Sequence, residues 1–283
     1  MKIRIISGTV GAALLILIFF FLFTPVLNVA LSLLSVIAVY EMAKVTKSAK
    51  SVPLLATGLI YAAVLPLSPL VLHLKTLLVM PVLYIFAVMT VALANNAKMK
   101  LMSVISSFAI FLPIPAAFTM TIYLRDLYKT DTLPIESGFL FMFLACSGAF
   151  VSDSGAYFTG VFFGKRKLAP EISPKKTVEG AAGGILFNML AYIIIAVIWQ
   201  KSSSVENVQI NFLYLIITAL LCTIISIIGD LSFSLIKRIC LVKDYGNIMP
   251  GHGGVLDRFD SMLFTVPFLY VFLQILPIIK ITA

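Results

Sequence analysis

The sequence predicts an all-α polytopic membrane protein with about nine transmembrane helices, and three observations carry that prediction. Of 283 residues, 61% are hydrophobic and 12% charged, against about 45–50% and about 25% in soluble domains. Mean hydropathy is +1.09. The apolar residues fall into runs near the ~20 needed to cross a bilayer, and the basic residues cluster between those runs. A soluble globular enzyme and a disordered chain are both excluded. The net charge of +9 suggests a nucleic-acid binder only until its placement is read, because the cations punctuate apolar spans instead of lining one face.

Lys2 and Arg4 ahead of the apolar run 5–23 resemble a signal peptide, but no small-residue cleavage site follows and a second run begins after Thr24-Pro25. This pattern predicts a retained first span. The spans that follow are expected at 25–43, 53–72, 76–94, 101–124, 138–163, 180–199, 212–236 and 261–279. The whole chain then reads as one integral membrane domain. Residues 1–137 form its generic N-terminal spans and 138–283 a catalytic part, with polar segments at 152–180 and 229–260. Cys146, Cys222 and Cys240 form no CxxC or Cys/His spacing and read as small buried hydrophobes.

With nine spans, sixteen of the 21 Lys and Arg residues fall on the N-terminal side, leaving Lys75, Arg125, Lys129, Lys201 and Lys280 opposite. The positive-inside rule then predicts an N-in, C-out protein whose polar loops face the cytosol.

The twelve acids sharpen the reading. Glu41, Asp126, Asp131, Glu136 and Glu206 sit at span ends or in loops and read as solvated charges. Asp153, Glu171, Glu179, Asp230, Asp244, Asp257 and Asp260 all fall within 152–180 and 229–260. Asp153 and Asp230 lie inside apolar spans, where an ionisable residue faces a bundle interior or a wet cavity and marks function. Asp230, Ser234 and Lys237 recur at i, i+4 and i+7, one polar stripe on an apolar helix. Asp257 and Asp260, at i and i+3, share a face if helical. Paired carboxylates repel unless a proton or a cation sits between them. A divalent ion such as Mg²⁺, held with substrate phosphate oxygens, is the economical resolution.

The run Pro250-Gly251-His252-Gly253-Gly254 offers backbone that approaches anionic oxygens closely. His252 either donates to a phosphate or braces the loop, and both readings stand. Lys237, Arg238, Lys243 and Arg258 supply charge suited to a polyphosphate, whereas simple interfacial anchoring accounts for Lys44, Lys47 and Lys50. In the upstream segment, Gly160/Gly164 and Gly180/Gly184 have the spacing of close helix packing. Pro174 favours an extended approach and Thr177 is placed to cap the seventh helix, with Lys175 and Lys176 beside its N-terminus, an anion site.

Together these residues resemble the phosphatidate cytidylyltransferases (CDP-diacylglycerol synthases). The signature is Ser234-x-x-Lys237-Arg238, four residues, Lys243-Asp244, then Pro250-x-His252-Gly253-Gly254-x-x-Asp257-Arg258-x-Asp260. Asp153-Ser-Gly-Ala-Tyr157 and Ser173-Pro-Lys-Lys-Thr177-x-Glu179-Gly180 look like the same family, so the resemblance covers roughly the C-terminal half. Met249 stands where Leu or Ile is expected, a conservative departure.

The resemblance implies an enzyme of the inner (cytoplasmic) membrane that joins CTP to phosphatidate, giving CDP-diacylglycerol and pyrophosphate, with its site facing the cytosol. It implies Mg²⁺, a monovalent cation such as K⁺ as an accessory, and a homodimer, with no nucleic-acid partner. Asp230, Asp257 and Asp260 become the metal-site carboxylates, with Lys237 and Ser234 beside them. Lys175, Lys176, Arg238 and Arg258 become phosphate or headgroup contacts, and Asp153, Lys243, Asp244, His252, Gly253 and Gly254 join the substrate-binding set. The attacking phosphate is already an anion, so the chemistry calls for metal and lysine more than for a general base. Two other readings compete. One is a related CTP-dependent enzyme acting on an ether lipid or a prenol. The other is an ion-coupled transporter, which predicts repeats and broken helices in matching halves.

Overall fold

The computed structural model describes residues 17–72, 76–95, 99–129, 133–202, 208–249, 251 and 253–281. It is predominantly α-helical, with two small antiparallel strand pairs. Five helical segments among the described residues are long and apolar enough to cross a membrane: Pro25–Val45, Leu101–Lys129, Ser137–Phe163, Val178–Ser202 and Phe212–Ile239. Of the first expected span, residues 5–16 lie outside the described residues, as do Lys2, Arg4, Lys75, Lys98, Pro250 and His252.

The chain divides into two compact units, Met1–Ile122 with Ile239–Phe259, and Tyr123–Arg238 with Asp260–Ala283. In the first unit, helix α1 (Pro25–Val45) starts as Thr24-Pro25 dictates. The Thr24 side chain accepts from the Val26 N–H, and Pro25 occupies the first helical position, where no donor is missed. Helix α2 (Val52–Val64) stops well short of the expected 53–72, because Pro66 and Pro69 interrupt it. Its end is tied back to α1: Asn28 Nδ2 donates to Pro66 O at 3.0 Å and Ser32 Oγ to Ala63 O at 2.7 Å. Helix α3 (Thr76–Ala94) matches its expected bounds. The segment expected at 101–124 is two helices, α4 (Leu101–Phe111) and α5 (Pro113–Arg125), divided where Pro113 withdraws a backbone donor. Gly58 lets α2 approach α4, since a Cβ there would stand 2.3 Å from the Phe111 ring.

In the second unit, α6 (Ser137–Cys146) runs through a π turn at Ser147–Val151 into α7 (Ser152–Phe163). Strands β1 (Lys167–Ala169) and β2 (Ser173–Thr177) form a hairpin leading into α8 (Val178–Ser202). The Gly180 N–H donates to Thr177 Oγ1 at 3.1 Å, the cap expected from the sequence. Helices α7 and α8 pack backbone to backbone: a Cβ on Gly180 would lie 2.7 Å from Ala156 O, and one on Gly184 2.8 Å from Ser152 O. The glycine spacing is therefore packing. Helix α9 (Phe212–Ile239) is fastened to α6 and α8 by a buried network. Asn188 Nδ2 donates to Thr223 Oγ1 and Ala219 O, while its Oδ1 accepts from Ser147.

The ninth expected span, 261–279, is helical only over α10 (Met262–Ile275). Pro277 follows, and the chain pairs as β4 (Ile279–Ile281) with β3 (Val208–Ile210). This pairing puts the end of α10 beside the α8–α9 connection. Its start lies far inside: Ser261 Oγ donates to Asp153 at 3.0 Å, and Asp153 is ten residues from the end of α7, about 15 Å at 1.5 Å per residue. A 14-residue helix of about 21 Å covers the remaining depth, which is why α10 is short.

Candidate active site

Three acids meet in the second unit. Asp153 opens α7 directly after the π turn, a local widening often found at functional positions. Asp230 projects from α9 nine residues before its end, about 14 Å in. Asp260 immediately precedes Ser261, whose backbone N–H donates to Asp260 Oδ1 at 2.8 Å. Ser234 Oγ donates to Asp230 Oδ1 at 3.2 Å, one half of the stripe read from the sequence. Burial, then the negative charge of Asp230, push the Asp260 carboxyl up to about 7; Asp153 adds to the rise, while the Ser261 N–H and Lys237 oppose it.

A cation beside Asp230 and Asp153 comes from the hairpin. Side chains alternate along a strand, so β2 presents Lys175 to solvent and turns Lys176 inward, half-buried. The Lys176 ammonium forms an ion pair with Asp230 Oδ2. The hairpin is itself pinned: Glu179 accepts from the backbone N–H groups of Lys165 and Arg166 at 3.0–3.3 Å, and Arg238 Nε donates to Ile172 O at 3.2 Å. Arg238 thus joins the end of α9 to the hairpin.

Asp257 belongs to the first unit and is engaged differently. Its Oδ2 accepts from the backbone N–H groups of Tyr245 at 2.8 Å and Gly254 at 3.0 Å. The helix carrying it is a single turn, Leu256–Phe259, so Asp260 falls outside it and the two acids share no helical face. Gly253 has φ +86°, a left-handed conformation that glycine adopts freely, and a Cβ there would stand 2.8 Å from the Asp257 carboxylate. Met249 N–H donates to Gly253 O at 2.9 Å, closing the turn. Lys243, Asp244 and Arg258 are solvent-exposed, and His252 lies outside the described residues.

Glu41, expected from its place at a span end to be a solvated charge, is instead buried, only 3% exposed. Its two carboxylate oxygens accept from the backbone N–H groups of Val255 at 3.1 Å and Leu256 at 3.0 Å, across more than two hundred residues of chain. Cβ atoms on Gly246 and Gly254 would collide with that carboxylate at 2.2 and 2.4 Å. Glu41 is therefore the clamp on which the glycine-rich loop closes. The only sequence signal for it was an acid among apolar residues three positions before Lys44.

Among the described residues, no three His, Cys, Asp or Glu side chains form a ready-made metal cage. The donor set of Asp153, Asp230 and Asp260 is nonetheless all hard carboxylate oxygen, and a cation would offset both the burial that chiefly lifts Asp260 and the like charge of Asp230 that adds to it. That fits Mg²⁺, which uses one or two carboxylates and completes its shell with water and phosphate.

Known proteins resemble this chain in sequence. A phosphatidate cytidylyltransferase of Bacillus subtilis (strain 168) is 49% identical over 140 residues, 50% of this chain and 49% of that protein. One from Haemophilus influenzae is 38% identical over 177 residues, covering 62% and 58%. Another, from Thermotoga maritima, is 35% identical over 163 residues, covering 57% and 60%. The chain thus spans about half to three fifths of the length of these relatives. A model of the cytidylyltransferase family matches residues 2–276. With that match running almost end to end, the chain belongs to the cytidylyltransferase family.

Proposed function

We propose that the chain is a membrane nucleotidyltransferase that condenses CTP with phosphatidate, giving CDP-diacylglycerol and pyrophosphate for phospholipid synthesis. The observation that carries this reading is the meeting of Asp153, Asp230 and Asp260, with Lys176 beside Asp230 and Asp153 and Lys237 acting on Asp260, about 14–15 Å inside the ends of α7 and α9. A phosphate oxygen of phosphatidate attacks the α-phosphorus of CTP. The new P–O bond forms as the α–β bridging bond breaks, and pyrophosphate leaves with the electron pair. Lys176 and Lys237 offset charge on the phosphates, and Ser234 and Ser261 hold the Asp230 and Asp153 carboxylates in place by hydrogen bonds. Asp230 and Asp260, with Asp153 beside them, would hold Mg²⁺, which supplies further charge neutralisation for the reacting phosphates. Asp257 orders the loop that carries Arg258, and Lys175, Arg238 and Lys243 supply further positive charge for the substrate phosphates.

The membrane setting suits the reaction, because one substrate is a lipid and the other a soluble nucleotide. Nine spans, an N-in/C-out orientation, a cytosolic site in the cytoplasmic membrane, a homodimer and an accessory K⁺ complete the proposal. Sixteen basic residues on one side support the orientation. The test is purified full-length chain in detergent, given CTP and phosphatidate with and without Mg²⁺. Metal-dependent pyrophosphate release with CDP-diacylglycerol seen by mass spectrometry supports the reading. A nucleotide-lipid product formed only from an ether lipid or a prenol would reassign the substrate, and no pyrophosphate from any lipid would overturn the enzyme reading.

A further inference from the structure

The first unit holds an open cavity of about 830 Å³, formed by the α1–α2 connection and the start of α4, that the proposed reaction does not use. Its polar wall carries Lys47, Lys50 and Lys100 with Ser48, Ser51, Ser103 and Ser106, and no acidic residue is among the described residues that line it. Its other wall is apolar and turned outward: Val52 is 70% exposed, Met102 72% and Ile105 49%. Lys47 holds φ +59°, the left-handed turn that follows the C-cap Thr46 and ends α1.

Three cations with no carboxylate among the lining residues call for an anion. The hydroxyls suit phosphate and glycerol oxygens. The apolar wall takes in the first residue of α2 and residues of the first turns of α4, where they alternate with Ser103 and Ser106. A free phosphate has no use for that wall, whereas a phospholipid places its headgroup against the lysines and its chains along Val52, Met102 and Ile105. Basic pockets between transmembrane helices at the membrane surface take anionic headgroups in this way. We infer that this cavity is a binding site for an anionic glycerophospholipid, lined by none of the residues of the acidic cluster and independent of the reaction proposed above. Positive-inside anchoring accounts for the sign of the lysines, but not for their convergence with four serines on one cavity.

The test titrates phosphatidylglycerol or phosphatidylcholine into the detergent-purified full chain and reads bound lipid by native mass spectrometry and the melting temperature. Phosphatidylglycerol should bind and raise the melting temperature, with phosphatidylcholine at least about tenfold weaker. The variant Lys47→Asn/Lys50→Gln/Lys100→Gln should lose about tenfold or more in phosphatidylglycerol affinity; Asn is chosen because it tolerates the left-handed backbone. The charge-matched control Lys44→Gln/Lys165→Gln/Lys167→Gln, outside the cavity, should bind as the wild type does, and Lys50→Arg/Lys100→Arg should retain binding. Equal loss in the control, equal binding of phosphatidylcholine, or competition by glycerol 3-phosphate as effective as the lipid would each overturn the site.

Discussion

Glu41→Ala is the sharpest perturbation the structure offers, because it removes one side chain from α1 and strikes a loop more than two hundred residues away. In the wild type both carboxylate oxygens are used, one by Val255 N–H and one by Leu256 N–H, and those residues are 1% and 0% exposed. Alanine leaves two buried donors without partners, each costing about 1–3 kcal/mol. Even the low end, about 2 kcal/mol in all, lowers the ratio of closed to open loop about thirtyfold. Gln keeps one acceptor oxygen and turns an amide N–H₂ toward the second donor, so it should fall between wild type and Ala. Asp is one methylene shorter and should also fail to bridge both groups. The assay is CTP-dependent turnover of purified protein alongside its melting temperature, with Gly254→Ala as a companion. A Cβ at position 254 collides with the Glu41 carboxylate, so the two substitutions should be non-additive, as expected for groups in contact. Turnover of Glu41→Ala within twofold of wild type, at an unchanged melting temperature, would refute the clamp.

Other consequences follow from the same geometry. Asp153→Asn and Asp260→Asn should each lower turnover about a hundredfold or more while the protein still inserts and melts near the wild-type temperature; near-normal activity in either would dissolve the carboxylate cluster. Lys176→Ala should cost far more activity than Lys175→Ala, because only Lys176 pairs with Asp230; equal losses would show that strand alternation does not matter. Gly180→Ala should destabilise the α7–α8 packing by about 1–3 kcal/mol, read as a lowered melting temperature, since its Cβ meets the Ala156 carbonyl. An acid raised to about 7 is neutral below that pH and charged above it, and a cation binds the charged form. The Mg²⁺ concentration for half-maximal activity should therefore be steady above pH 7 and rise up to about tenfold per unit below it; a flat requirement from pH 8 to 5.5 would contradict this.

What the sequence determined is whatever local chemistry encodes. Apolar runs set most helices within a few residues, because an apolar segment in lipid must satisfy its own backbone. Thr24-Pro25 and Thr177 marked helix starts, and the glycine spacing between α7 and α8 foretold their close packing. The aspartates and lysines of the two polar segments supply the residues of the candidate cluster, Asp153, Asp230, Asp260, Lys176 and Lys237. The prolines that cut α2 and divide α4 from α5 were legible too, but composition outweighed them. Tertiary structure decided the rest, because the deciding contacts join residues far apart in the chain. Asp153 meets Ser261 across 108 positions, and Glu41 meets Val255 across 214. Lys175 and Lys176 are equivalent as letters and separate only once a strand turns one outward and the other onto Asp230. Asp257 and Asp260 looked like a pair by spacing, yet a helix of one turn ends between them. Burial gives each of these charges its role, and burial is a property of the packed chain.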